Sequence, residues 1–267
     1  KNKIKTKDII FFNCYCKLNM SDNIEVAIIN QLSDNYSYIV YSAKIKKALI
    51  VDPAESKPLI DYLIEKDLSL HGILITHHHS DHTSGIKGLL DFKSVNVYSP
   101  SLKISKTSKL IKDMNKIDFN FIDFKVLETP GHTLDHIVFY NSKNKLLFSG
   151  DTLFSLGCGR IFEGSYEQMF RSLQLLNNLP DETYVYCGHE YTSQNYKFLR
   201  SIFYNHEELK KYKNKIDEKL KNTQRTIPFK LGDEKFINPF LVSKVNTYKK
   251  FMIANNMDRF NFFKYIR

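Results

Sequence analysis

Short runs rich in β-branched and aromatic residues follow one another at 24–29, 36–41 and 48–51, the first two separated by the turn-forming Ser33-Asp34-Asn35, and they predict neighbouring strands. Residues 58–66 switch to helical spacing: Leu59, Tyr62 and Leu63 share a face, and Pro58 is tolerated in a first turn. A strand at 72–76, a helix at 85–92 and a strand at 95–98 continue the alternation of β and α. Three more strands are predicted at 124–128, 136–140 and 145–148, punctuated by Thr129-Pro130-Gly131 and by residues 141–144. Ser165 and Gln168 have capping-box spacing ahead of a helix whose Met169, Phe170, Leu173 and Leu176 share a face, and a strand at 183–186 follows. Beyond Glu190 no strand is predicted, only lysine-rich segments of helical spacing interrupted near Pro228 and Pro239. The pattern divides the chain into an extension, 1–20, a β-rich unit, 21–190, and a helical unit, 191–267.

Composition narrows the class. With 267 residues, 42% of them hydrophobic, the chain can bury a sizeable core, and no apolar run approaches the roughly 20 residues that cross a bilayer. It reads as a soluble protein without a membrane partner. The formal charge of +10 invites a nucleic-acid reading, but the lysines are spread over the whole length, which predicts attraction for small anions and no nucleic-acid partner. Cys14, Cys16, Cys158 and Cys187 show neither zinc spacing nor a disulfide framework, so a reducing compartment fits. Residues 1–20 carry five lysines and one acid, Asp8. Two readings stand for them, a transit-peptide remnant or a loosely docked tail, and with them two locations, an organelle (plastid or mitochondrion) or the cytoplasm.

Candidate chemistry is concentrated at strand ends. The stretch THHHSDH, residues 76–82, places four histidines and an aspartate directly after an apolar strand. Imidazoles so crowded need a partner that takes up their lone pairs, and a metal ion is that partner. His132 in TPGHT, Asp151 in SGDT and His189 in CGHE each follow an apolar β run and sit near a glycine, which permits close backbone approach. His77, His79, Asp81, His82, His132, Asp151 and His189 therefore offer seven N and O donors from four loops. That exceeds one tetrahedral ion and suits two divalent ions about 3.5 to 4 Å apart that share a carboxylate and a water. Donors without thiolate suit zinc, and also iron or manganese.

The H-x-H-x-D-H pattern at His77, His79, Asp81 and His82 resembles the signature of the metallo-β-lactamase superfamily. The ordered set LSDNYSYIV, IVDP, THHHSDH, TPGHT, SGDTLF, GCGRIFEG, YCGHEYT and INPF most resembles the glyoxalase II family, over nearly the whole chain from about Ile24 to Arg267. The resemblance implies an α+β fold, an αββα sandwich with a C-terminal helical domain that closes over the substrate. A monomer is the expected state, which the sequence itself leaves open. The resemblance also implies that His77, His79 and His132 hold one metal, that Asp81, His82 and His189 hold the other, and that Asp151 bridges them. His78 has no ligand role in that scheme. Asp52, in IVDP, matches a position where a carboxylate orients a ligand imidazole, with a purely structural aspartate as the alternative. The implied reaction is hydrolysis of S-D-lactoylglutathione to D-lactate and glutathione, the second step of methylglyoxal detoxification. Metals that lower the pKa of water to about 7 supply a bridging hydroxide, which Asp81 orients. Arg160, Phe162, Tyr191 and Arg267 match substrate-contacting positions.

The chain departs from the family pattern in several places. Phe162 replaces a tyrosine of some members, Asp135 replaces a glycine and adds a charge, and Val242 replaces an arginine. The given sequence stops at Arg267, which aligns with the first residue of the family's basic R-x-x-K motif. Three rival readings, a one-iron persulfide dioxygenase, an RNA-processing nuclease and a non-catalytic scaffold, fit less well. The complete ligand set and GHEYT followed by a helical region argue against the dioxygenase, the lack of a clustered basic and aromatic segment argues against the nuclease, and the seven intact donors argue against the scaffold.

Overall fold

The computed structural model describes residues 23–241 and 245–267. The expectations about residues 1–20, about Cys14 and Cys16, and about Val242 lie outside the described residues. In chain order the first sheet takes β1 (Ile24–Gln31), β2 (Asn35–Ser42), β3 (Lys47–Val51), β4 (Ser69–Leu74), β5 (Val97–Ser99) and β6 (Lys109–Leu110). Helices α1 (Lys57–Glu65), α2 (Ser80–Thr83) and α3 (Ile86–Phe92) lie between these strands in sequence. The second sheet has the order β14-β13-β10-β9-β8-β7. Its strands are β7 (Lys116–Asp118), β8 (Asp123–Glu128), β9 (Ile137–Asn141), β10 (Leu146–Gly150), β13 (Tyr184–Cys187) and β14 (Phe229–Lys230). A small hairpin, β11 (Leu153–Phe154) with β12 (Gly157–Cys158), follows β10, and α4 (Tyr166–Asn177) precedes β13. The chain ends in α5 (Thr192–Ile202), α6 (Glu207–Thr223), α7 (Leu231–Ile237), α8 (Asn246–Ala254) and α9 (Arg259–Ile266).

The two-residue period of a strand explains the layers. Every residue of β2 is buried, and its neighbours point to opposite faces. Tyr38 and Val40, with Leu49 and Val51 of β3, join Val126, Val138 and Phe148 of the second sheet in one core. Ile39, Tyr41, Ala48 and Ile50 face the other way, onto Leu59 and Leu63 of α1 and Ile86 and Leu89 of α3. The predicted capping box is present: Ser165 accepts from Gln168 N, and the Gln168 side chain accepts from Ser165 N. Met169, Leu173 and Leu176 then bury the inner face of α4.

One expectation is corrected. Residues 229–230 form a strand beyond Glu190, pairing antiparallel with Tyr184 and Val185. Two residues are too short a run to carry a periodicity, so the sequence pattern passes over it. The C-terminal helices share the core of the second sheet, with Phe170 of α4 packed 5.5 Å from the Phe263 ring of α9. Inside that junction Glu234 of α7 is fully buried. It accepts from Ser155 Oγ, Leu156 N and Tyr212 Oη at 2.7 Å each and from Asn238 Nδ2 at 3.0 Å. Asn238, in INPF, also donates to the carbonyls of Phe154 and Gly157. The helical region is thereby tied to the β11–β12 hairpin that leads into GCGRIFEG.

Candidate metal centre

All seven predicted donors gather at the carboxyl ends of four strands. β4 runs into the loop and short helix carrying His77, His79, Asp81 and His82, in the first sheet. β8, β10 and β13 of the second sheet are followed by His132, Asp151 and His189 respectively. Ligand atoms of His77, His79 and His132 lie within 4.8 Å of one another, as do those of Asp81, His82 and His189, and those of His77, His82 and Asp151.

Hydrogen bonds on the far side of each ring fix which nitrogen is bare. His132 Nδ1 donates to the Arg160 carbonyl oxygen at 2.8 Å, so its Nε2 keeps a lone pair. Thr76 Oγ1 donates to Asp52 Oδ2 at 2.7 Å and is left to accept from His77 Nδ1 at 3.0 Å, which bares His77 Nε2. His79 Nδ1 lies 3.1 Å from each of those two Nε2 atoms. A single proton on His79 could serve only one of them, so hydrogen bonding does not account for the trio. Nitrogens bound tetrahedrally at about 2.0–2.1 Å stand about 3.3 Å apart, close to the separations found.

The second group is arranged alike. His82 Nδ1 donates to Asp52 Oδ2 at 3.1 Å and His189 Nδ1 to Asp34 Oδ1 at 2.8 Å, so both Nε2 atoms turn to the centre. Asp81 Oδ2 lies 3.3 Å from His189 Nε2 and 3.7 Å from His82 Nε2. Asp151 stands between the groups, with Oδ2 3.4 Å from both His132 Nε2 and His189 Nε2, and Oδ1 3.5 Å from His82 Nε2. His82 Nε2 and Asp151 Oδ1 are buried with no hydrogen-bond partner. Two orphaned lone-pair atoms facing each other 3.5 Å apart cannot satisfy one another and fit a divalent cation between them.

Electrostatics differ between the groups. Burial, reinforced by His82 and the other imidazoles around it, pushes His77 well down, so it is neutral and able to donate its lone pair. Burial also opposes a charge on His189, yet hydrogen bonds to Asp151 and Asp81 outweigh it and push the imidazole up to about 11, so a cation entering the second group must displace the proton on Nε2. The Asp151 carboxyl is held well below the carboxylate range: burial works to raise it, but His82 and His189 prevail.

The predicted substrate-contacting residues surround this centre. Phe162 is 61% exposed and sets its ring edge-on to His132 and His79, at 5.2 and 5.7 Å. Tyr191 stacks on His189 with centroids 4.7 Å apart. Arg160 is exposed, and Arg267 Nε donates to the carbonyl of its neighbour Gly159 at 2.9 Å. The carboxylate of Asp135 faces His78, whose Nδ1 lies 2.9 Å from Asp135 Oδ1 and whose Nε2 lies 3.3 Å from Glu163 Oε1. Two site residues escaped the sequence reading. Asp34 touches His189, and Asn35 donates to Asp81 Oδ2 at 2.9 Å; the only signal for either was their place in LSDNYSYIV.

Residues 32–189 match the model of the metallo-beta-lactamase superfamily, and residues 190–267 match that of the hydroxyacylglutathione hydrolase C-terminus. The chain belongs to the hydroxyacylglutathione hydrolase family. Within the family it is 39% identical over 236 residues to the hydroxyacylglutathione hydrolase of Bdellovibrio bacteriovorus, covering 84% of this chain and 94% of that one. It is 43% identical to the family's representative in Pelagibacter ubique, over 82% of this chain and 93% of the relative. Among solved structures, ETHE1 from Myxococcus xanthus is similar in fold, with a TM-score of 0.64 at 24% identity, over 90% of this chain and 95% of that one. The family's fold, an α+β sandwich with a C-terminal helical region, implies a divalent metal, and the donor geometry fits one. Among the described residues no helix is long and apolar enough to cross a membrane.

Proposed function

We propose that the protein hydrolyses 2-hydroxyacyl glutathione thioesters, S-D-lactoylglutathione first among them, at a centre of two divalent ions. The observation that carries this reading is the convergence of three imidazole nitrogens, Nε2 of His82, His132 and His189, on the one carboxylate of Asp151, in a chain whose residues 190–267 match the hydroxyacylglutathione hydrolase C-terminus. His77, His79 and His132 would hold one ion, Asp81, His82 and His189 the other, and Asp151 would bridge. Zinc suits these donors, as do iron and manganese. Ions bound there supply water of pKa about 7 and Lewis-acid polarisation of the thioester carbonyl.

The chain's own residues do the rest. Asp52, Asp34 and the Arg160 carbonyl hold the imidazoles in one tautomer, so the centre needs no reorganisation during the reaction. Phe162 and Tyr191 wall the mouth and restrict water, while Arg160 and Arg267 supply positive charge suited to the carboxylates of glutathione. Residues 21–190 would then form the catalytic unit and 191–267 the unit that closes over the thiol.

The test is loss of thioester absorbance on incubation with S-D-lactoylglutathione, with metal content determined on the same sample. Turnover together with about two ions per chain is expected from the proposed centre. A fully metallated protein inert to this thioester would overturn the substrate assignment.

A further inference from the structure

We infer that the turn Asp34-Asn35 governs the ion held by Asp81, His82 and His189 and leaves the other ion untouched, an inference that rests on the two-ion reading above. Asp34 Oδ1 accepts from His189 Nδ1 at 2.8 Å. Its neighbour Asn35 donates from Nδ2 to Asp81 Oδ2 at 2.9 Å and to the Asp81 carbonyl at 3.3 Å. The turn is itself held by backbone bonds, Glu190 N to the Asp34 carbonyl at 2.9 Å and Tyr36 N to the Gly188 carbonyl at 2.8 Å. Two successive residues thus aim two of the three donors of one group.

The remaining anchors lack that selectivity. His77 leans on Thr76 and His132 on the Arg160 carbonyl, neither of which touches Asp81 or His189. Asp52 binds both His82 and Thr76, so it acts on both groups together. Among the described residues, the turn makes the only side-chain hydrogen bonds to ligand side chains that are exclusive to the second group; Tyr191 stacks on His189 but fixes neither of its nitrogens. Asp34 and Asn35 are positioning residues, acting through His189 and Asp81.

The experiment titrates metal-depleted protein with zinc against a competing chromophoric chelator, for wild type, Asp34→Ala and Asp34→Asn. The Asp34 side chain is 37% exposed, so its truncation leaves the core in place. Wild type should give two dissociation constants. In Asp34→Ala one of them should rise about 10–100-fold while the other holds, the range usual for loss of an outer hydrogen-bond partner. Asp34→Asn keeps an acceptor and should stay close to wild type. Equal weakening of both constants, no change in either, or an Asp34→Asn as weak as Asp34→Ala would overturn the inference. A wild-type chain that binds a single ion would overturn the two-ion reading and this inference with it, so the two failures are distinguishable.

Discussion

Gly188 faces Asp151 so closely that a Cβ built on it would lie 2.3 Å from Asp151 Oδ1 and 2.7 Å from His82 Cε1. The glycine before His189 is there because the shared carboxylate occupies the volume a methyl group would need. Gly188→Ala should therefore push Asp151 out of its place between the groups. Both ions should be lost together, with little change in far-UV circular dichroism. Metal analysis after dialysis checks this, and retention of two ions would contradict it.

Asp52 is buried and sits at φ 50°, in the left-handed region that Asp and Asn tolerate better than most residues. It accepts from Thr76 N at 2.8 Å, from Thr76 Oγ1 and from His82 Nδ1. Asp52→Ala strands three donors in the interior and should cost about 2–4 kcal/mol in urea unfolding of the metal-free chain. Asp52→Asn keeps the turn conformation and one acceptor, so it should lose less stability while still weakening metal binding about 10–100-fold. Equal stability of the two variants would show that neither the turn preference nor the retained acceptor offsets the cost, and would contradict this.

Glu234 gathers four donors, two of them from the hairpin ahead of Arg160. Removing the carboxylate leaves the Leu156 N–H and the Asn238 amide facing a void. Glu234→Ala should destabilise the fold by about 2–4 kcal/mol. It should also raise KM for the thioester more than it lowers kcat, because the loop it holds carries predicted substrate contacts and no metal ligand. Steady-state kinetics below the melting transition separate the two effects.

Burial pushes the Cys158 thiol up to about 12, with the charge of Arg267 offsetting only part of the shift, and burial likewise holds the Cys187 thiol well above its ordinary value. At pH 8 a thiol of pKa about 12 is ionised to roughly one part in ten thousand, against about a quarter for an ordinary thiol near 8.5. Iodoacetamide at pH 8 should therefore leave both residues unmodified in the native protein and label them once it is unfolded. Peptide mapping by mass spectrometry reads this directly, and native labelling of either thiol would contradict it. Since the folded pKa lies above the unfolded one, stability is fully present below about pH 8.5 and falls as pH rises toward about 12.

The sequence made the donors visible because metal ligands must be particular residue types at strand ends, and these were the residues that apolar periodicity left unexplained. His132 and His189 stand out beside glycine in otherwise apolar surroundings, and the structure brings them within reach of Asp151. Strands longer than three residues were legible because β-branched and aromatic residues dominate them, as Tyr38-Ile39-Val40-Tyr41 does in β2, where both faces are buried. β14 was not, because its two residues are held by β13 across a sequence gap and by no pattern of their own. Asp34 and Asn35 were read as turn formers, which they are. Their second task depends on Gly188 and His189 lying alongside, a relation between segments over 150 residues apart.

The groups of donors are not divided between the sheets. His77 and His79 come from the first sheet and meet His132 of the second, while Asp81 and His82 meet His189 in the same way. The centre therefore lies on a seam, and an ion in either place would be a rivet through both plates of the sandwich. A half-assembled chain, with one sheet formed and the other undocked, holds no complete set. A complete set of donors is then on offer only after the two sheets have docked, so full-affinity metal capture reports that docking has already happened.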